Sequence, residues 1–184
     1  MDETLRDADT KMSKAVDVAK SDFAAIRTGR AHPAMFEKIT ADYYGTPTPI
    51  LQLANLQVPE PRMVLISPYD PGAMGAIEKA IRDSDLGVNP ANDGNVLRLV
   101  LPELTEERRR EYIKLAKTKA EDGRVSVRNI RRSAKHDLDK LEKDGEVGQD
   151  DVAGAEKRLD GMTKRHVDQI DELLEHKEAE LMEV

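Results

Sequence analysis

The chain has 184 residues and a formal net charge of −7, with 35% of its residues charged, only 3% aromatic and no tryptophan. A chain so charged and so poor in rings is expected to form long solvated helices more than a deep globular core. It has no cysteine, which excludes disulfides, thiolate catalysis and zinc-finger ligation, and no apolar run approaches the ~20 residues that span a bilayer.

From the N-terminus, Met1-Asp2-Glu3-Thr4-Leu5-Arg6 is acidic and amphipathic, unlike a signal peptide, so a soluble cytoplasmic protein is expected. Leu5, Ala8, Met12, Ala15, Ala19, Phe23 and Ile26 recur in steps of three and four, which predicts a helix over 2–28. Gly29 is a candidate C-cap, and Pro33 stops the helix from resuming.

All nine prolines lie between Pro33 and Pro102. Proline costs roughly 3 kcal/mol inside a helix, so they outline a small turn-rich domain, residues 31–102. It is inserted into a helical body formed by 1–30 and 103–184. The chain leaves that body once and returns once. The two crossings, Gly29-Arg30-Ala31 and Pro102-Glu103-Leu104, form a candidate two-strand hinge. Within the insert, the turn signal Gly45-Thr46-Pro47-Thr48-Pro49 breaks the chain into short pieces. Met63–Ile66 and Val96–Leu101 read as strands, and Pro71–Asp85 reads as one helix. About four strands and one helix are expected. Pro59 and Pro61 mark the neighbouring strand as an edge or as very short. The fold class is therefore α+β: a three-helix bundle with an inserted small α/β domain.

Segment 104–144 predicts one long helix, ~60 Å at 1.5 Å per residue. Thr105 is the expected N-cap, and the seam runs Ile113, Ala116, Ala120, Gly123, Val127, Ile130, Ala134, Leu138 and Leu141. After a turn at 144–148, Asp150 or Asp151 is expected to cap a third helix. Its seam is Val152, Ala155, Leu159, Met162, Val167, Ile170, Leu174 and Leu181. Three narrow apolar stripes bury one another in a bundle. Gly123, Gly154 and Gly161 weaken these helices where exposed.

Between Gly123 and His136 there is no acidic residue, while Arg124, Arg128, Arg131, Arg132 and Lys135 stand there. Steps of four, three and four put Arg124, Arg128, Arg131 and Lys135 on one stripe, each one position past a seam residue. Two readings stand level on spacing alone. The row is bare and grips phosphate, for which arginine's planar fork is suited, or it pairs with acids on the neighbouring helix. The run Arg108-Arg109-Arg110, among Glu106, Glu107 and Glu111, reads as a solvated charged face. Gly72-Ala73-Met74-Gly75 reads as a helix start. The four histidines are scattered, and no catalytic, metal-binding or nucleotide-binding motif is found, so neither an enzyme nor a cofactor is expected.

The motifs then accumulate. Ile26-Arg27-Thr28-Gly29-Arg30-Ala31, Tyr43-Tyr44-Gly45-Thr46-Pro47, Glu78-Lys79-Ala80-Ile81, Ser84-Asp85-Leu86-Gly87-Val88-Asn89-Pro90, Leu104-Thr105-Glu106-Glu107-Arg108-Arg109-Arg110, Val127-Arg128-Asn129-Ile130-Arg131-Arg132 and Lys177-Glu178-Ala179-Glu180-Leu181-Met182 together resemble the bacterial ribosome recycling factor family over nearly the whole chain. The resemblance implies an L-shaped protein of near-tRNA size, with the bundle flexibly joined to the small domain. It implies action after termination, with elongation factor G and GTP, to split ribosomal subunits. It also implies contact with large-subunit rRNA through Arg128, Arg131 and Arg132, with Arg27 and Arg30 near the hinge end, and so favours the phosphate reading of the row, Arg124 and Lys135 included. Ser133-Ala134-Lys135 departs from the family's usual Asp-Ala-Asn and adds positive charge. Tyr69 stands where the family often has tryptophan. A monomer with no membrane or DNA partner is expected. The alternative is a coiled-coil adaptor, which requires exposed seams and dimerisation.

Overall fold

The computed structural model describes residues 1–183. They form two compact units: Met1–Arg27 with Glu106–Met182, and Thr28–Thr105 with Glu183.

The first unit is a bundle of three helices, α1 (Asp2–Ala25), α4 (Glu106–Lys143) and α5 (Gln149–Met182). Helix α1 ends earlier than its periodicity suggests. Ile26 turns to an extended conformation (φ −74°, ψ 123°) and its N–H bonds to the Phe23 carbonyl, so the helix stops before Gly29 is reached. Gly29 is not a cap, and its φ lies outside the left-handed region. Helix α5 begins at Gln149, placing Asp150 and Asp151 in its first turn instead of at the cap. There they face the positive end of the helix dipole.

The α4–α5 turn is made by Gly145 at φ +73°. The Gly145 N–H bonds to the Glu142 carbonyl and the Glu146 N–H to the Leu141 carbonyl, the paired bonds of a Schellman ending that satisfy the last carbonyls of α4.

The expected seams are buried at Leu5, Ala8, Met12, Ala19 and Phe23, at Ala116, Ala120, Gly123, Val127, Ala134 and Leu138, and at Val152, Ala155, Leu159, Ile170 and Leu181. Two polar residues join them on α5. His166 and Lys177 are buried where periodicity favoured Val167 and Leu174, which are only half-buried. His166 is accommodated because its Nε2 lies 2.8 Å from Asp9 Oδ1 and its Nδ1 lies 3.2 Å from Gln169 Oε1. At Gly123 a Cβ would stand 3.0 Å from Ile170 Cδ1 and 3.4 Å from Ala19 Cβ, so the glycine lets α1 and α5 close on α4.

The second unit holds six strands where about four were expected. β1 (Thr40–Tyr43) and β2 (Thr46–Pro49) form a hairpin. β3 (Ala54–Glu60), β4 (Met63–Pro68), β6 (Leu97–Val100) and β5 (Ala91–Asn92) form an antiparallel sheet in the order β3-β4-β6-β5. The segment Thr46–Pro49, read as a break, is β2, because both its prolines sit in a two-stranded hairpin with no further neighbour. Ile50–Leu53 is a single helical turn, α2, and the predicted helix from Pro71 is a 3-10 turn followed by α3 (Met74–Arg82). β3 is an edge strand, as Pro59 indicated, with an irregular register between Gln57 and Glu60. Val64, Ile66, Leu97 and Leu99 point from the sheet into a core shared with Phe36, Ile50, Ile77 and Ile81.

The hairpin tip is Tyr44-Gly45, with φ +50° and +84°. Positive φ at both loop residues suits a two-residue hairpin but strains a tyrosine. Tyr43 and Tyr44 both donate their hydroxyls to Asp70 Oδ2, at 2.9 and 3.3 Å, and the Gly72 N–H donates to Oδ1. The Gly72 N–H bond and then the Tyr43 hydroxyl hold the Asp70 carboxyl below its ordinary pKa.

Candidate nucleic-acid interface

The basic row of α4 does not stand bare. Arg124 Nε meets Asp171 Oδ1 at 2.6 Å and its Nη1 meets Glu121 Oε2 at 3.0 Å, with only 20% of the side chain exposed. Burial works against this charge, but the bonds to Asp171 and Glu121 outweigh it and raise the guanidinium pKa. Arg128 Nη1 lies 3.4 Å from Glu121 Oε1, with 49% of its side chain exposed. Arg131 Nε lies 2.7 Å from Asp160 Oδ1, with 36% exposed. Lys135 Nζ lies 3.6 Å from Glu156 Oε1, with 45% exposed. The stripe expected to face solvent unpaired is therefore corrected: it lies along the α4–α5 contact, and α5 supplies Glu156, Asp160 and Asp171.

The physical reason is angular. Residues one past the seam sit ~100° from the core direction, which is where the neighbouring helix presents its own flank. Arg132 sits two past the seam residue Ile130. It is exposed and has no ion pair or hydrogen bond among the described residues. Within Arg124–Lys135 the open cation is thus Arg132, bordered by Arg128 and Arg131.

These pairs differ in strength. Exposed ion pairs contribute about 0–1 kcal/mol and yield readily to another anion. Arg128 and Lys135 belong to that class, whereas Arg131, less exposed, meets Asp160 at 2.7 Å. Arg124, held by two carboxylates and mostly covered, acts as a staple between α4 and α5.

At the other end of α4 the Arg108-Arg109-Arg110 run also divides. Arg110 pairs with Glu106 on the exposed face. Arg109 is half-buried, and its Nε is sealed from solvent with no hydrogen-bond partner among the described residues. Its signal was present in the sequence: Arg109 lies seven residues before Ala116 and is on the seam.

Arg27 is half-buried and takes part in an interaction. Arg30 Nη2 lies 3.1 Å from Glu183 Oε2. Around the expected hinge, Ile26 to His32 and Leu101 to Thr105 belong to no helix or strand. The Ala31 N–H bonds to the Pro61 carbonyl at 2.6 Å and the Leu101 N–H to the Arg62 carbonyl at 2.8 Å, so both are anchored to the β3–β4 turn. The crossing residues outward of them are Arg27–Arg30 and Pro102–Thr105, where Glu103 pairs with Arg62 at 3.2 Å. Gly29 sits beside Leu104, whose Cγ would be 3.8 Å from an added Cβ.

A family model described as ribosome recycling factor matches residues 19–182. The chain belongs to the ribosome recycling factor family. The matched span takes in the whole of α4 and both crossings between the two units. Ribosome-recycling factors of Nocardioides sp. and Streptomyces coelicolor are 65% and 66% identical to it over 184 residues, covering all of each chain. A solution structure of the ribosome recycling factor is 43% identical with a TM-score of 0.78, covering 100% of this chain and 97% of the other. A further structure, 40% identical with a TM-score of 0.66 and covering 99% and 98%, is described as models for the T. thermophilus ribosome recycling factor and the E. coli elongation factor G bound to the E. coli post-termination complex. The adaptor alternative loses its footing, since the seams that would recruit a partner are closed on one another within the bundle. Among the described residues, no helix is long and apolar enough to cross a membrane.

Proposed function

We propose that this chain recycles ribosomes in the cytoplasm after termination, acting with elongation factor G, and that it works as a lever with no catalytic group of its own. GTP hydrolysis belongs to elongation factor G. The observation that carries this reading is full-length identity of about two thirds with ribosome-recycling factors.

The bundle docks on large-subunit rRNA through the outer side of α4. Arg132 is the leading contact, Arg131 offers the guanidinium nitrogens that Asp160 leaves free, Arg128 exchanges a weak carboxylate partner for phosphate, and Lys135 adds charge. Arg124 is left to hold the bundle. Arg27 and Arg30 lie on or beside the first crossing and extend the cationic surface there. The small domain, with net charge −4 over 31–103, is poorly suited to RNA, and its role is to move. The pivot is Gly29, Arg30, Pro102, Glu103 and Leu104, with Ala31 carried on the small domain by its bond to Pro61. The chain acts as a monomer, because its apolar stripes are satisfied internally.

The test is splitting of post-termination ribosomes by elongation factor G and GTP, followed by light scattering. Addition of the protein is expected to dissociate the subunits, and no dissociation would refute the reading. The lever is tested separately. The chain has no native cysteine, so a Gly29→Cys, Leu104→Cys pair introduces one disulfide that ties the two crossings together. The oxidised form is expected to bind ribosomes without splitting them and the reduced form to do both; normal splitting by the oxidised form would refute the lever.

A further inference from the structure

Two guanidinium groups on the same side of α4 are held in different ways. Arg124 is gripped by two carboxylates, at Nε and at Nη1, and is mostly covered. Arg131 has one carboxylate, Asp160, which takes its Nε at 2.7 Å. A guanidinium carries five N–H donors in a fixed planar fork, and one carboxylate engages at most two of them. At least three therefore stay available on Arg131, on a side chain that is 36% exposed.

Asp160 holds Arg131 at the heel of the fork and fixes the plane in which the outer nitrogens lie. An unrestrained arginine must order its long side chain when it meets a phosphate, whereas one already held does not. The same α5 flank repeats the arrangement with Glu156 against Lys135. An ammonium has no plane to fix, so orientation matters only at Arg131.

We propose that Asp160 is a positioning residue for ribosome docking: it presents the Arg131 fork to an RNA phosphate and does not compete with that phosphate for it. The inference rests on the docking role given to Arg131 above and deepens it.

The experiment is a double-mutant cycle on the full chain. Binding to large ribosomal subunits is measured at several salt concentrations, well below the melting temperature of each variant. Variants are Asp160→Ala, Asp160→Asn, Arg131→Ala and Asp160→Ala with Arg131→Ala. Asp160→Ala is expected to weaken binding about three- to tenfold, the cost of ordering one long side chain. Asp160→Asn keeps an acceptor oxygen for Nε and should retain binding within about twofold. In the Arg131→Ala background, Asp160→Ala should have no further effect, because the group it positions is gone. Wild-type or tighter binding by Asp160→Ala overturns the proposal by making the carboxylate a rival of phosphate. Equal losses in both backgrounds overturn it by making the role structural. A loss in Asp160→Asn matching that in Asp160→Ala overturns the acceptor role. Arg131→Ala binding like the wild type, at every salt concentration, instead removes Arg131 from docking, and the failure then lies with the parent reading.

Discussion

Arg124 and Arg132 stand little more than two turns apart on α4, in a stretch with no acid of its own, yet one is a structural staple and the other an open charge. Arg124 points along the flank that α5 occupies and finds Asp171 there. Arg132 points away from both neighbouring helices and has no partner among the described residues. Helical spacing gives the direction a side chain takes from its own axis. It says nothing about what the next helix places opposite.

The largest effect that would break this comparison is on docking. Arg131→Ala with Arg132→Ala should weaken large-subunit binding on the order of 100-fold and lower the salt slope by about two, with helix content unchanged. Circular dichroism and salt-dependent cosedimentation check both parts. Arg124→Ala should do the reverse. It should cost about 1–2 kcal/mol of bundle stability in urea unfolding, since it leaves Asp171 and Glu121 without their shared cation, while ribosome affinity stays within about twofold of wild type.

Much of this molecule was legible beforehand, for identifiable reasons. The three long helices announced themselves because their seams keep a helical period over many turns, and the proline-bounded insert was plain because proline is expelled from such helices. The small domain's strands were undercounted because Thr46–Pro49 carries two prolines, and only a hairpin with a free edge tolerates them. His166 was invisible as a core residue because its partner Asp9 lies on another helix, far away in sequence. Arg124 was misjudged as bare for the same reason, as its partners include Asp171 on α5.

The helix glycines sharpen the same lesson with a smaller effect. Gly123, Gly154 and Gly161 look alike in sequence. A Cβ at Gly154 or Gly161 meets nothing within 4 Å, whereas at Gly123 it meets Ile170 and Ala19. Gly154→Ala and Gly161→Ala should each stabilise the bundle by about 0.5–1 kcal/mol. Gly123→Ala should bring no such gain, because Ile170 must move. Thermal melts of the three single variants decide it.

The smallest effect is on the acid limb of stability. The His166 hydrogen bond, and then Arg165, lower the Asp9 pKa below its ordinary 3.8, against the opposing effect of burial. A carboxylate with a depressed folded-state pKa contributes stability in full above its unfolded value and loses it as pH falls through the folded one. Asp9→Asn should therefore melt earlier than wild type at neutral pH, and the two curves should converge below about pH 4. Parallel curves down to pH 3 would remove Asp9 from the α1–α5 contact.

The most direct measurement compares Arg132→Ala with Arg124→Ala in binding to large ribosomal subunits across a salt series. Arg132→Ala is expected to lose about tenfold in affinity and to flatten the salt dependence by about one ion, with Arg124→Ala close to wild type in both. Equal slopes for Arg132→Ala and the wild type would contradict docking through the open side of α4.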